Sequence, residues 1–207
     1  LDGQVGDGTT DDRHIPVNVV TPKMTFRSVA ARDGWVLESG ENSGVGGSRD
    51  AASNLNVGDN DSDRQYRSIL YFNTGPLPDG AVILRVTLKI KLSGVTGADP
   101  LTTHGDLRVD IQTGTFGAAA LENADFEAAA SKSNIGHITA LSGVPDWYKL
   151  ICTAADHDYI NKTGVTQFRL RFATDDNDDN NADFLAFFAG EAVNANRPTL
   201  IIEYYLP

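Results

Sequence analysis

The 207-residue chain has one Cys, one Met and only 17 basic residues against 28 acids, and each shortage closes a route. A lone Cys152 cannot form an intrachain disulfide, and no Cys/His spacing suits zinc or an iron–sulfur cluster. The bases never cluster, so the net charge of −11 excludes a surface for phosphate backbones and therefore a nucleic-acid partner. No apolar run approaches the roughly 20 residues of a membrane-spanning helix, so no membrane insertion is expected. The chain opens at Leu1 without the charged and apolar regions of a signal peptide, and the expectation is a soluble, already processed protein. Glutamate is scarce as well: six of the 28 acids are Glu and 22 are Asp, beside 20 Gly and 14 Asn. That balance favours turns over helices, because Asp, Asn and Gly suit tight loop backbones.

What is present is an apolar period of two, the mark of strands with one face on a core. Val82, Leu84, Val86, Leu88, Ile90 and Leu92 alternate with mostly polar residues, as do Leu107, Val109 and Ile111, and Phe168, Leu170 and Phe172. These read as antiparallel strands whose other face, carrying Arg108, Asp110, Gln112, Gln167, Arg169 and Arg171, is wet. Tyr66 to Phe72 and Pro198 to Tyr205 are apolar on both sides and read as central strands; Trp35 to Glu38, Leu55 to Val57, Trp147 to Ile151 and Phe184 to Phe188 are shorter candidates. A helix is expected over Asn123 to Ala130, capped by Asn123 or Asp125, and a short helical turn over Ala154 to Asn161. Many strands without a βαβ rhythm point to one all-β domain, a jelly-roll β-sandwich with one or two short helices over residues 24–207, behind an extended N-terminal segment over 1–23.

From Asp33 to Tyr205 the sequence resembles the bacterial extracellular domains called DNRLRE, which overlap carbohydrate-binding module family 96. The resemblance rests on ordered blocks: Asp33-Gly34-Trp35-Val36, Leu55-Asn56-Val57-Gly58, Asp63 to Phe72, Leu77 to Ile83, Val86-Thr87-Leu88 and Asn196-Arg197-Pro198-Thr199-Leu200. It implies a jelly-roll sandwich on a secreted or cell-surface protein without catalysis of its own. The central block departs from the eponymous motif at Gln65 and Tyr66.

Two Asp-rich loops make a hard cation the expected cofactor. Between Thr174 and Asp183 lie Asp175, Asp176, Asn177, Asp178, Asp179 and Asp183, five carboxylates in nine residues whose repulsion a cation or solvent must relieve. Asp175, Asn177 and Asp179 have the one-three-five spacing of a calcium loop, but position twelve is Ala186, so this is no EF-hand. Asp59, Asp61 and Asp63 repeat the spacing and reach Leu70 at position twelve. Structural Ca²⁺ at either loop, completed by Asp33 or Glu38, is the sharp reading; solvated turns are the plain one.

Enzyme signals are weak. No nucleophile elbow, Walker loop or His-Glu-x-x-His occurs, Gly44 to Arg49 reads as a flexible Gly-rich loop, and His104, His137 and His157 read as surface residues. Trp147 and Tyr148 are candidates for stacking on a sugar ring, while Trp35 is assigned to the core. Leu1 to Asp12 is too polar to order itself, and Ile15, Val17, Val19 and Val20 form a strand-like piece that can join a sheet edge, of its own domain or of a neighbouring copy. The expected function is thus a secreted, non-catalytic structural subunit, a homo-polymer joined through the N-terminal segment and stabilised by calcium. The alternative is a module that binds a polysaccharide.

Overall fold

The computed structural model describes residues 21–51, 54–140 and 142–207. They form an all-β sandwich in which every strand pairing is antiparallel. In chain order the strands are β1 (Lys23–Arg27), β2 (Gly34–Glu38), β3 (Gly46–Asp50), β4 (Leu55–Asp59), β5 (Gln65–Asn73), β6 (Val82–Thr96), β7 (Leu107–Thr113), β8 (Lys132–His137), β9 (Thr139–Ala140), β10 (Trp147–Ile151), β11 (Val165–Phe172), β12 (Phe184–Phe187) and β13 (Thr199–Tyr205). One layer runs β1-β13-β6-β10-β9. The other runs β3-β2-β5-β11-β7-β8, and the start of β5 also pairs with β4, which leads through β12 to the far half of β6. The 15-residue β6 therefore serves both layers and curls the sheet on itself. Between the layers Leu55, Leu70, Phe72, Leu88, Phe168 and Phe187 are fully buried.

Several sequence expectations are corrected. In β6 the inward residues are Val86, Leu88 and Ile90, but Val82 and Leu84 are 40% and 50% exposed. The pairing steps from Glu203↔Arg85 to Tyr204↔Ile83, so Leu84 is an extra residue that reverses the facing of the strand start. The Gly44–Arg49 stretch does not stay a loop, since Gly46–Asp50 is β3 on the edge of β2. The 123–130 helix shrinks to a single 3-10 turn, Asn123–Asp125, whose N-cap residue is Glu122; Asp125 takes part in the cap, its Oδ2 accepting the Glu122 N–H at 2.9 Å, and Asn123 does not. At the second expected turn, Ala154–Tyr159 is 3-10. The one α-helix among the described residues is α1, Pro100–Thr103, a single turn capped by the Asp99 side chain, which accepts the Leu101 N–H at 3.0 Å.

The largest correction concerns the wet face of β7 and β11. Asp110, Gln167 and Arg169 are buried, because residues 114–130 fold across the outside of that layer. Phe116, Leu121 and Phe126 from this flap close on Val36 and Ile69 to make a second small core. Arg169 holds it: its Nη1 donates to the carbonyls of Asp125, Phe126 and Ala128 at 3.0, 3.1 and 2.7 Å, and its Nε and Nη2 reach Asp110 Oδ2. Burial alone would raise the Asp110 carboxyl. The bonds from Arg171 and the Asn134 N–H, with the charges of Arg169 and Arg171, outweigh it and hold Asp110 below its ordinary value.

The N-terminal residues proposed for self-assembly, Ile15, Val17, Val19 and Val20, lie outside the described residues. Among the described residues the first strand, β1, opens at Lys23, which pairs with Glu203.

Candidate functional site

The two acidic loops are far apart in sequence, yet the pairing of β4 with β12 joins them at one end of the sandwich. Asp59, the last residue of β4, donates its N–H to the Asp183 carbonyl at 3.0 Å, and Asp183 returns its N–H to Asp59 Oδ1 at 3.0 Å. Such a close crossing requires Gly58, which has φ +133° and would place a Cβ 2.1 Å from the Asp183 carbonyl oxygen. From the 60–63 turn Asp63, itself at φ +51°, accepts the Asn180 N–H at 3.0 Å. From the exit of β6 the Ala98 N–H reaches Asp183 Oδ1 at 2.6 Å. Asn177 Nδ2 donates to Asp183 Oδ2 and to Asp179 Oδ2 at 3.2 and 3.1 Å. The two expected cation loops are thus one place, held by three chain segments.

Asp59, Asp63, Asp176 and Asp183 are buried there, whereas Asp61, Asp178 and Asp179 are exposed and Asp175 is half-buried. Burial raises the Asp59 carboxyl. It also pushes Asp176 up to about 6, helped by the charge of Asp175. His104, expected at the surface, is fully buried with its ring edge on Phe172; its Nδ1 lies 2.6 Å from Thr103 Oγ1 and its Nε2 lies 3.4 Å from Asp59 Oδ1. At this end two buried oxygens, Asp59 Oδ2 and Asn177 Oδ1, have no partner among the described residues. Among the described residues no three acids or histidines stand close enough together to hold a metal ion as they are. The donors are nonetheless all hard oxygens, at the end of β4 and on the two loops, the set that suits Ca²⁺, and Asp59, Asp63, Asp176, Asn177 and Asp183 are those that would hold it.

The remaining acid candidates are used elsewhere. Asp33 completes neither loop: it sits at the far end of β2, where its oxygens accept the N–H groups of Tyr71 and Gly190, each at 3.1 Å. Burial pushes its carboxyl up to about 7. Glu38 lies at the nearer end of β2 and accepts the N–H groups of Gly44 and Gln65 at 2.6 and 3.4 Å.

The aromatic candidates separate. Tyr148 turns inward and meets Phe187 edge-on at 5.6 Å, so it belongs to the core. Trp147 turns outward and is half-buried beside Gly143, Val144, Pro145 and Asp146. Trp35 is not a core residue: it meets Tyr66 at 5.1 Å, and Tyr66 meets Phe184 at 5.5 Å, a row of three half-buried rings. The row spans β2, β5 and β12 and passes over Gly58, which leaves it room. Sequence reasoning missed it because the three residues lie on separate strands, and only their register aligns them.

No family model and no curated protein matches this chain.

Proposed function

We propose that the chain is a non-catalytic structural module of an extracellular assembly, whose acidic end is closed by Ca²⁺. The observation that carries this reading is the fully buried Asp59, whose Oδ2 has no partner although Asp183 and His104 crowd its other oxygen. A buried carboxylate oxygen needs either a proton or a cation. Four buried carboxylates beside Asn177 favour the cation, because one divalent ion relieves their mutual repulsion at once. Sites of this kind in extracellular modules are tuned to the millimolar calcium outside cells, which is where the resemblance to the DNRLRE domains also points. The assembly part of the reading is supported by β1, an edge strand with one described neighbour, β13, and by the apolar residues Ile15, Val17, Val19 and Val20 that precede it in the sequence.

The test is thermal melting with calcium and with excess chelator. A site of dissociation constant about 10⁻⁴–10⁻³ M contributes about 2 kcal/mol at about 10 mM Ca²⁺, a rise of roughly 4–8 °C for a domain this long. Asp59→Asn should abolish the rise. Equal melting temperatures in both buffers would end the cation reading.

A second reading, polysaccharide binding, is favoured by the Trp35–Tyr66–Phe184 row, since aromatic faces in line are what sugar rings stack on. It predicts retention on a polysaccharide affinity gel that Trp35→Ala removes and Trp147→Ala leaves intact.

A further inference from the structure

The charges of this acidic chain are sorted by surface. On the outward face of the β1-β13-β6-β10 layer the strand register aligns Arg27, Thr199, Lys89 and Lys149 in one row across four strands. These side chains point away from the core because Phe26, Leu88, Leu150 and Leu200, their chain neighbours, point into it. Lys91 follows along β6, and a parallel row holds Lys23, Glu203 and Arg85, in which Glu203 stands between two bases. Lys89 and Lys149 are directly opposite each other, an arrangement of like charges that costs a sheet stability. Neither forms an ion pair among the described residues. The four-strand row is therefore a line of positive charge without an acidic partner among the described residues, on a protein of net charge −11.

The matching negative surface is on the same molecule but elsewhere. At the acidic end Asp61, Asp178 and Asp179 are exposed, and among the described residues the hydrogen bonds they accept come from Ser62, Asn177 and Asn181. Asp178 stands at φ +56°, at the turn of the 174–183 loop. We infer that the Arg27–Lys89–Lys149 row docks the 174–183 loop of a second copy of this chain. This rests on the assembly reading above and supplies it with a contact. Because the two surfaces are different patches, the contact is heterologous and leaves one free patch of each kind at the ends, so growth continues head to tail. Recognition is electrostatic and lies at the surface, hence strongest at low ionic strength.

Sedimentation velocity of the full chain tests this, in chelator, at about 20 mM and about 500 mM salt. The wild type should associate at low salt and dissociate at high salt. Lys89→Glu with Lys149→Glu, and separately Asp178→Lys with Asp179→Lys, should each weaken self-association by at least about tenfold. Mixing the two variants should restore it, because each reversed patch then meets its complement. A wild type that stays monomeric at low salt, or variants that associate as the wild type does, would overturn the proposal. So would loss of assembly on deleting residues 1–20 while the Lys89/Lys149 variant still assembles, and so would a face variant whose only defect is in binding an anionic polysaccharide. The calcium-linked rise in melting temperature is expected unchanged in the Lys89/Lys149 variant, so the cation reading and this one fail separately.

Discussion

Arg169→Met removes the guanidinium that ties the 114–130 flap to the outer face of the β7–β11 pair while keeping most of the apolar stem. In the wild type Arg169 Nη1 serves three carbonyls. After the change the Phe126 carbonyl keeps Arg67 Nη1 at 2.8 Å, but the carbonyls of Asp125 and Ala128 lose this donor. Asp110 loses two of its bonds and retains Arg171 and the Asn134 N–H. An orphaned buried acceptor costs about 1–3 kcal/mol, and taking one partner from a buried ion pair about 3–5 kcal/mol. Because Asp110 keeps a second arginine, the expected total for two carbonyls and one ion pair lies near the lower end of that sum, about 5 kcal/mol. The loss of the cation over the Phe116 ring, 4.6 Å from its centroid, acts in the same direction. Urea denaturation gives the total from the shift in midpoint, and amide hydrogen exchange locates it. Protection should fall across 114–130 before it falls in Phe168–Phe172. A loss below about 1 kcal/mol, or exchange that rises evenly over the whole sandwich, would refute the view that Arg169 pins the flap.

The calcium-dependent melting with Asp59→Asn, the charge-reversal pair at Lys89 and Lys149, and the loss of polysaccharide retention with Trp35→Ala are set out above. A fourth expectation is a pH dependence. Asp33 is fully buried and its carboxyl is raised from 3.8 to about 7 by burial, so the folded state holds its proton where the unfolded state has released it. Its contribution is complete below about pH 4 and is lost as the pH rises through about 7, on the order of 4 kcal/mol over the whole window. Asp176 acts in the same direction up to about 6, so the measurement is made in chelator. Asp33→Asn, which keeps one acceptor for the Tyr71 or Gly190 N–H, should flatten the slope of stability between pH 4 and 7; an unchanged slope would show that Asp33 is not its source.

The class of this protein was legible in its residues. Alternation at Leu107–Ile111 and Phe168–Phe172 needs only a strand with one apolar face, and the start of β10 at Trp147 fell directly after the turn residues Pro145 and Asp146. The Asp loops were legible too, since five carboxylates in nine residues stand out without knowledge of any contact.

Three things were decided by tertiary structure alone. Alternation says that Gln167, Arg169 and Asp110 share the face away from the core, but it cannot say that a distant segment will cover that face. A one-residue bulge in β6 exchanged the facing of Val82 and Leu84 for that of Ile83, and a period-two pattern carries no mark of where its phase will slip. The meeting of Asp59 with Asp183, the burial of His104 between Asp59 and Phe172, and the row of Trp35, Tyr66 and Phe184 depend on which strands become neighbours. That choice is fixed by the way all strands fill one core together, a property of the whole chain that no local window of sequence contains.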